Sequence, residues 1–442
     1  MKKRLIYSAV VLGLGIVFGI VSRLSVSFSE WYAVTVYPLI VGTAGRFFGI
    51  FPFSFAEVLL ILLIASALAG IVLLVVKLVK TRNKSTTVKS VLFSAGASLL
   101  CVAVSAFSIF VFNCGINYNR NTFLHNQGLS FEPSAVQSEL ERLMVFLTLL
   151  DEFYTVFPDS DSLEAAIKTD ENGVFQLSGD LSVTAPAAMR NLAKQYPRLN
   201  VHYPHPKPVM LSGLMSDAFL LGMFVPYTIE ANYNSIAPDS EKALTALHEL
   251  AHVAGFMREE EANFISFLAA RESGNPELVY AAYLYIFDYI SVWITDELYR
   301  HLPDEYKALL EYFAGQTGVK WQVDFPASGF GKIQRYIFSY DLLPEQIGHD
   351  SWASFEFWSS RRQNTSYIFD EYGEVVDAVV TVNPFVEAFS SVSADLNDAY
   401  LKIQGQSDGV DSYGRMIDLV MATYLSEISE PVPIENRTNR TN

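Results

Sequence analysis

Cysteine is nearly absent from this chain. Its 442 residues include two, Cys101 and Cys114. Both fall along one apolar stretch, about 20 Å apart if that stretch is a helix, so they cannot pair with each other. No disulfide braces the chain beyond Cys114. Those roughly 330 residues must be held by a core, and that length suffices to form one.

Charge is sparse too, at 18%, and unevenly placed. Residues 1–113 hold 10 of the 31 basic residues and 2 of the 47 acidic ones, leaving 21 basic against 45 acidic beyond. No basic patch remains to argue for nucleic acid. The acidic excess suits a soluble domain and names no partner.

What is abundant is apolar. At 51% hydrophobic and a mean hydropathy of +0.24, the chain is too apolar for an ordinary soluble enzyme. The excess lies in the first quarter, in runs at 5–21, 58–76 and 91–112. Each is near the ~20 residues that cross a bilayer's hydrocarbon core. The first run, behind Lys2, Lys3 and Arg4, also admits a signal-peptide reading. No small-residue cleavage site precedes Arg23, however, and two more runs follow. Three membrane helices are expected, near 5–22, 57–77 and 90–113.

Basic residues flank the first span (Lys2, Lys3, Arg4) and fill the loop after the second (Lys77, Lys80, Arg82, Lys84, Lys89). The positive-inside rule places both groups in the cytoplasm. The loop 22–56 and a domain at 114–430 then lie outside. Trp31, Tyr32 and Tyr37 in that loop read as interfacial anchors on a short amphipathic helix.

The stretch that organises the rest is 245–255, whose core reads His-Glu-Leu-Ala-His at 248–252. Residues four apart share a helix face, so His248 and His252 can hold one Zn²⁺. Glu249 is then placed as general base toward the metal-bound water. The flanking residues are uncharged, as a helix buried beneath a cleft requires. The bland alternative is an amphipathic helix carrying two surface histidines.

A third ligand is needed, and Glu259 is the first choice, with Glu260 and Glu261 open as alternatives. On one unbroken helix Glu259 would lie roughly 10 Å along the axis from His252. Ligand atoms about 2 Å from one zinc sit only about 3–4 Å from each other. The helix must therefore break, and Gly255 allows it as a left-handed cap. A second helix starting near Met257 would return Glu259 to the metal, with Asn263 one turn on as a supporting partner.

The pattern resembles the gluzincin branch of the zincin metallopeptidases, whose third ligand lies in an E-x-x-[AS]-[DN] motif matched here by residues 259–263. The spacing departs from theirs, since gluzincins insert many more residues before that Glu. A glycine three residues after His252 is similar to metzincins, but Arg258 stands where they carry a third histidine. From Trp31 to near Met421 the chain resembles a bacterial membrane-protein family, domain of unknown function 3810. There too an HELAH-type motif precedes a Gly-Phe pair and a Glu-rich Glu-Ala-Asn segment. The resemblance implies a metallopeptidase and is silent on substrate.

Elsewhere, Ser134 is the expected N-cap of a helix through Glu139, Leu143, Leu147 and Leu150. Shorter helices are expected at 162–168 and 186–195. His202 and His205 flank prolines in a loop without a carboxylate cluster, and the bland reading prevails over a metal site. Residues 209–215 and 219–229 read as strands. The stretch 227–234 is the expected cleft wall for an extended peptide, with Glu230 and Asn232 either lining it or serving as ordinary strand residues. Helices are expected at 277–300, whose aromatic stripe reads as core, and at 304–314, 353–362, 385–401 and 413–425. The tail 431–442 reads as disordered. Oxyanion stabilisation would fall to Tyr413, with Arg415 and His349 as alternatives. A plain helix N-terminus capped by Asp411 or Ser412 is the competing reading.

The expected architecture is three N-terminal membrane helices and a mainly α domain with a small β-sheet, an α+β zincin-like fold. The expected function is zinc-dependent peptide hydrolysis, with His248, His252 and Glu259 as ligands and Glu249 and Tyr413 as catalytic groups. A peptide substrate and the lipid bilayer are the partners. The rival is a membrane-anchored binding or scaffolding protein. A transporter fits poorly, since the spans carry only Glu57 near one end.

Overall fold

The computed structural model describes residues 2–81, 85–129, 138–319, 322–324, 334–369 and 375–428. The chain begins with α1 (Lys2–Leu24) and α2 (Val26–Thr35), followed by α3 (Phe55–Thr81) and α4 (Ser85–Phe110). Helix α1, helix α3 and the stretch Val88–Asn119 are long and apolar enough to cross a membrane. α1 and α4 run side by side in the same direction. Arg4 donates to Ser98 Oγ at one end, Ser108 Oγ donates to the Val11 carbonyl, and Phe18 packs on Phe112 at the other end. Gly15 makes the close approach possible, because a Cβ there would lie 2.8 Å from Ser108 Oγ.

The loop after α1 is not the surface anchor expected of it. Ser25 caps α2 by accepting from the Phe28 N–H. Tyr32 and Tyr37 are buried, and Tyr32 donates to the Phe112 carbonyl. Only Trp31, 52% exposed, remains available as an anchor. The local sequence around these aromatics gives no sign of the domain that will pack over them.

The domain opens with α5 (Glu139–Val156). Ser138 and Glu141 close a capping box at its N-terminus; the expected cap Ser134 lies outside the described residues. A short helix Ser160–Ala166 and α6 (Leu181–Leu192) come next, the latter capped by Asp180. Pro186 therefore sits inside α6 and does not start it.

Three strands form the sheet that matters for the site: β1 (Lys207–Val209), β2 (Gly222–Val225) and β3 (Glu230–Asn234), in the order β1-β3-β2. β1 is parallel to β3 and β2 antiparallel to it. Between β1 and β2 the chain forms α7 (Ser212–Asp217) where a strand at 209–215 was expected. β3, from the stretch expected to be the cleft wall, is the central strand, and β2 is the edge. Glu230 and Asn232 are accordingly buried. The Glu230 carboxylate pairs with Lys207 and accepts from the N–H groups of Phe55 and Ala56, capping α3.

α8 (Asp239–Val253) lies beneath this sheet at the centre of the domain, packed on α6, β2 and β3. α9 (Glu259–Arg271) and α10 (Pro276–Ile290) pack against its other side. The helix expected over 277–300 ends at Ile290. Ser291 turns the backbone extended, and Trp293–Thr295 pairs with Gln334–Phe338. Sheet pairing over forty residues of separation wins there over local helical propensity. The aromatic stripe of α10 is core, with Tyr280, Tyr283 and Phe287 buried. The helix Asp304–Thr317, α11 (Glu345–Arg362), α12 (Pro384–Ile403) and α13 (Met416–Ile428) complete the chain. A 3-10 turn, Gly409–Arg415, joins the last two, so Tyr413 precedes α13.

The domain is seated on the apolar helices by polar contacts. Glu57, in the first turn of α3, accepts from the N–H groups of Met210 and Leu211, each at 2.9 Å. Asn113 donates to the Pro226 carbonyl at 2.6 Å. Arg120 donates to the Ala254 and Gly255 carbonyls, each at 3.3 Å, satisfying the C-terminal end of α8. These contacts fix α8 relative to the helix ends.

Candidate metal centre

α8 ends where the spacing argument requires. Gly255 adopts φ +86°. Its N–H donates to the His252 carbonyl and the Phe256 N–H to the Ala251 carbonyl, which is the paired bonding of a Schellman cap. A side chain at 255 would strain that φ and press on Tyr37 and Arg120. The chain reverses in five residues and α9 begins at Glu259 itself.

The reversal brings three donor atoms together. Glu259 Oε2 lies 3.1 Å from His248 Nε2 and 3.6 Å from His252 Nε2. One ligand atom from each residue falls within 4.8 Å of the others, and the two imidazoles stand edge to face at 4.6 Å. Among the described residues this is the group of His, Cys, Asp and Glu side chains that can hold a metal ion. His202 and His205 belong to no such group; His205 Nδ1 contacts the Ser182 carbonyl.

The supporting contacts fix which nitrogens are free. Asn263 Nδ2 donates to the Tyr413 carbonyl at 3.2 Å, which turns Asn263 Oδ1 toward His248 Nδ1 at 2.6 Å. That Nδ1 must therefore carry a proton, which makes Nε2 the nitrogen able to ligate. His252 Nδ1 donates to the Phe256 carbonyl at 2.7 Å with the same consequence. Both imidazoles thus turn Nε2 toward the Glu259 carboxylate, with their far nitrogens braced as metal-ligating histidines usually are.

Electrostatics mark the same cluster. Burial works against the His252 imidazolium, but the charge and hydrogen bond of Glu259, with Glu249 and Phe256, outweigh it and raise its pKa to about 9. Burial would lift Glu259; the charge of His252 and the hydrogen bonds of both histidines hold it below the usual carboxylate range instead. Burial pushes the Glu249 carboxyl up to about 7 against the opposing charges of the two histidines. Perturbations of opposite sign in adjacent groups occur at functional sites and in structural ion-pair networks alike.

Glu249 faces β2. It accepts from the Phe224 backbone N–H, while its Oε2 is buried without a hydrogen-bond partner. Gly222 is what admits it, since a Cβ at that position would overlap the Glu249 carboxylate and Thr245. A lone glycine inside a strand signals such a close approach, and residues 219–229 carried that sign at Gly222. Phe224 completes the wall, its ring 6.1 Å from that of His252.

Tyr413 stacks over His248 at 6.4 Å and 14°. Its hydroxyl receives the Asn397 side chain at 3.4 Å. Burial, with the charge of Glu259, keeps that hydroxyl protonated well beyond the ordinary tyrosine range. Asn397, on α12, has no sequence signal that separates it from any other polar helix residue. The two alternatives to Tyr413 are elsewhere engaged. Arg415 pairs with Asp408, and His349 lies on α11 beside Gly173 and Asp350. The neighbouring acids also turn away from the histidines. Glu260 accepts from Gln406 at 2.6 Å, and Glu261 from the Phe123 N–H at 2.5 Å.

The chain belongs to a family described as protein of unknown function (DUF3810), whose model matches residues 32–321 and 353–421. The match covers the helix ends, β2, α8, α9 and the Tyr413 turn together. No curated protein and no solved structure matches the chain.

Proposed function

We propose that this chain is a zinc-dependent, zincin-like metallopeptidase anchored by three membrane-spanning helices. The observation that carries the reading is the convergence of His248 Nε2, His252 Nε2 and Glu259 Oε2 beside a buried, half-unpartnered Glu249. Two neutral imidazoles and one carboxylate are a usual three-residue set for a catalytic zinc. Their 3.1 and 3.6 Å separations fit atoms that share an ion about 2 Å from each. When bound, the ion supplies Lewis-acid polarisation and lowers the pKa of water.

The protein's own groups account for the rest. Glu249, poised near 7, takes the proton of the attacking water on Oε2 and returns it to the leaving amine. The Tyr413 hydroxyl donates to the oxygen that gains charge. The exposed edge of β2 pairs with an extended peptide by strand addition, laying the scissile bond beside Glu249. Basic residues at 2–4 and 77–89 support a cytoplasmic side for those segments. The domain, which contacts the opposite ends of the same helices, is then extracytoplasmic.

The test uses the full chain in detergent, because Arg120, Tyr37 and Glu57 tie the domain to the helix ends. About one zinc per chain in the wild type, lost in His252→Ala, is expected. Glu249→Gln keeps the metal and loses about 10²–10⁴-fold of peptide hydrolysis. Wild-type protein that takes up no metal when zinc is offered would return the chain to the binding-protein class. Undiminished hydrolysis by Glu249→Gln would remove its role as base.

A further inference from the structure

α12 carries an apolar face that nothing among the described residues covers. Phe385, Phe389, Val392, Leu396 and Ile403 are 36–68% exposed. Their spacings of four, three, four and seven place them along one side of the helix. The inner side is distinct, with Val386 and Leu401 buried and Asn397 reaching Tyr413. A third side is polar and bears Glu387, Asp395, Asp398 and Lys402. Five large apolar residues aligned beside an acidic face are more than scattered surface hydrophobics.

The two sets of contacts made by α12 show what the stripe faces. At its C-terminal end the Arg23 guanidinium, from the last turn of α1, donates to the Ile403 carbonyl at 3.2 Å. One turn earlier Tyr400 packs on Phe110 at the end of α4 and on Tyr118. α12 also packs against α7, and the residues leading into α7 are held by Glu57 at the start of α3. α7 has six residues and so spans only about 9 Å. The helix is therefore held near the level where all three apolar helices end. Met210, Leu211 and Leu214, beside that second contact, are exposed as well.

We propose that the apolar stripe of α12 lies in the lipid interface on the domain's side of the bilayer, as an in-plane amphipathic helix. This rests on the reading of α1, α3 and α4 as membrane spans. The acidic face makes apolar burial, and not attraction to anionic headgroups, the source of binding. Because Asn397 on the same helix contacts Tyr413, the candidate metal centre then opens close to the membrane surface. Its substrates would be polypeptides presented at the bilayer.

The experiment places a nitroxide at Val392→Cys, Leu396→Cys or Ile403→Cys, and at Asp395→Cys on the polar face, in the full chain with Cys101→Ser. Cys114 is buried and stays. A label at Leu68→Cys, midway along α3, reports the spans independently. The chain is reconstituted in phosphatidylcholine–phosphatidylglycerol vesicles, and collision with oxygen is compared with collision with a water-soluble nickel chelate. The expected result is an oxygen-to-nickel ratio several-fold higher at 392, 396 and 403 than at 395, and highest at 68. A lipid-like ratio at 68 with water-like ratios along α12 would overturn the interfacial helix and leave the spans standing. Water-like ratios at 68 as well would remove the spans and the proposal together. Dipolar broadening between labels on α12 would show the stripe covered by a second copy, which also overturns it.

Discussion

Two buried acid–base clusters sit at opposite sides of the first turn of α9, and they are built for different ends. On one side Arg120, 2% exposed along its side chain, lies 3.4 Å from Glu30. It also stacks on Phe256 at 4.1 Å and donates to the last carbonyls of α8. Glu261 completes that side, with Arg258 4.0 Å away and the Phe123 N–H bound. Each acid there has a cation or an N–H against it. On the other side Glu259 meets two imidazoles whose remaining nitrogens are already committed to Asn263 and Phe256. That cluster directs two ring nitrogens and a carboxylate at one point. Glu259 and Glu261 are two residues apart and both buried, so residue type and burial do not distinguish them. What the other elements aim at each one does.

The largest effect should come from exchanging the two acids' roles one at a time. Glu259→Gln removes a charged ligand and is expected to abolish stoichiometric zinc retention while the chain remains folded. Glu261→Gln is expected to keep the zinc and lower stability by about 1–3 kcal/mol, through a buried hydrogen-bond network left imperfect. Metal content and thermal unfolding of both variants, in the same detergent, separate the outcomes. Loss of zinc from both would mean the two clusters are one, and the comparison would fail.

The clamp side breaks next. Arg120→Met leaves Glu30 and Glu261 buried without their shared cation and strips a cap from α8. Removing one partner of a buried pair typically destabilises by about 3–5 kcal/mol. The expected readout is a marked fall in unfolding temperature with about one zinc still bound at low temperature. Unchanged stability would show that the end of α8 does not depend on its tether to the helix ends.

These two clusters also show what a sequence reveals and what it hides. The metal cluster is almost wholly local, with His248, His252, Gly255, Glu259 and Asn263 inside sixteen residues. Helix geometry alone says that the chain must turn at Gly255 for Glu259 to approach the histidines. The clamp joins Glu30, Arg120 and Glu261 across more than two hundred residues, and no periodicity reports such a meeting. The same limit explains the cleft wall. Residues 219–229 read as strand and 227–234 as the wall, but which strand is central depends on β1 pairing in parallel with β3, a contact made at long range. The burial of Tyr32 and Tyr37 beneath the domain is hidden for the same reason.

The smallest expected effect tests the contact that makes the metal cluster directional. Asn263 passes its amide between the Tyr413 carbonyl and His248 Nδ1, and so fixes the ring with Nε2 as the ligating nitrogen. Asn263→Ala keeps all three ligands and removes only that orientation. Loss of such a supporting bond usually weakens metal affinity by about 10–100-fold. Competition with a chelator of known zinc affinity reads this directly, with His252 as the internal comparison because its Nδ1 is braced by a backbone carbonyl that no side-chain change removes. An affinity unchanged from wild type would show that His248 finds its ligating tautomer unaided. Arrangement by neighbouring elements would then not be what separates the Glu259 cluster from the Glu261 clamp.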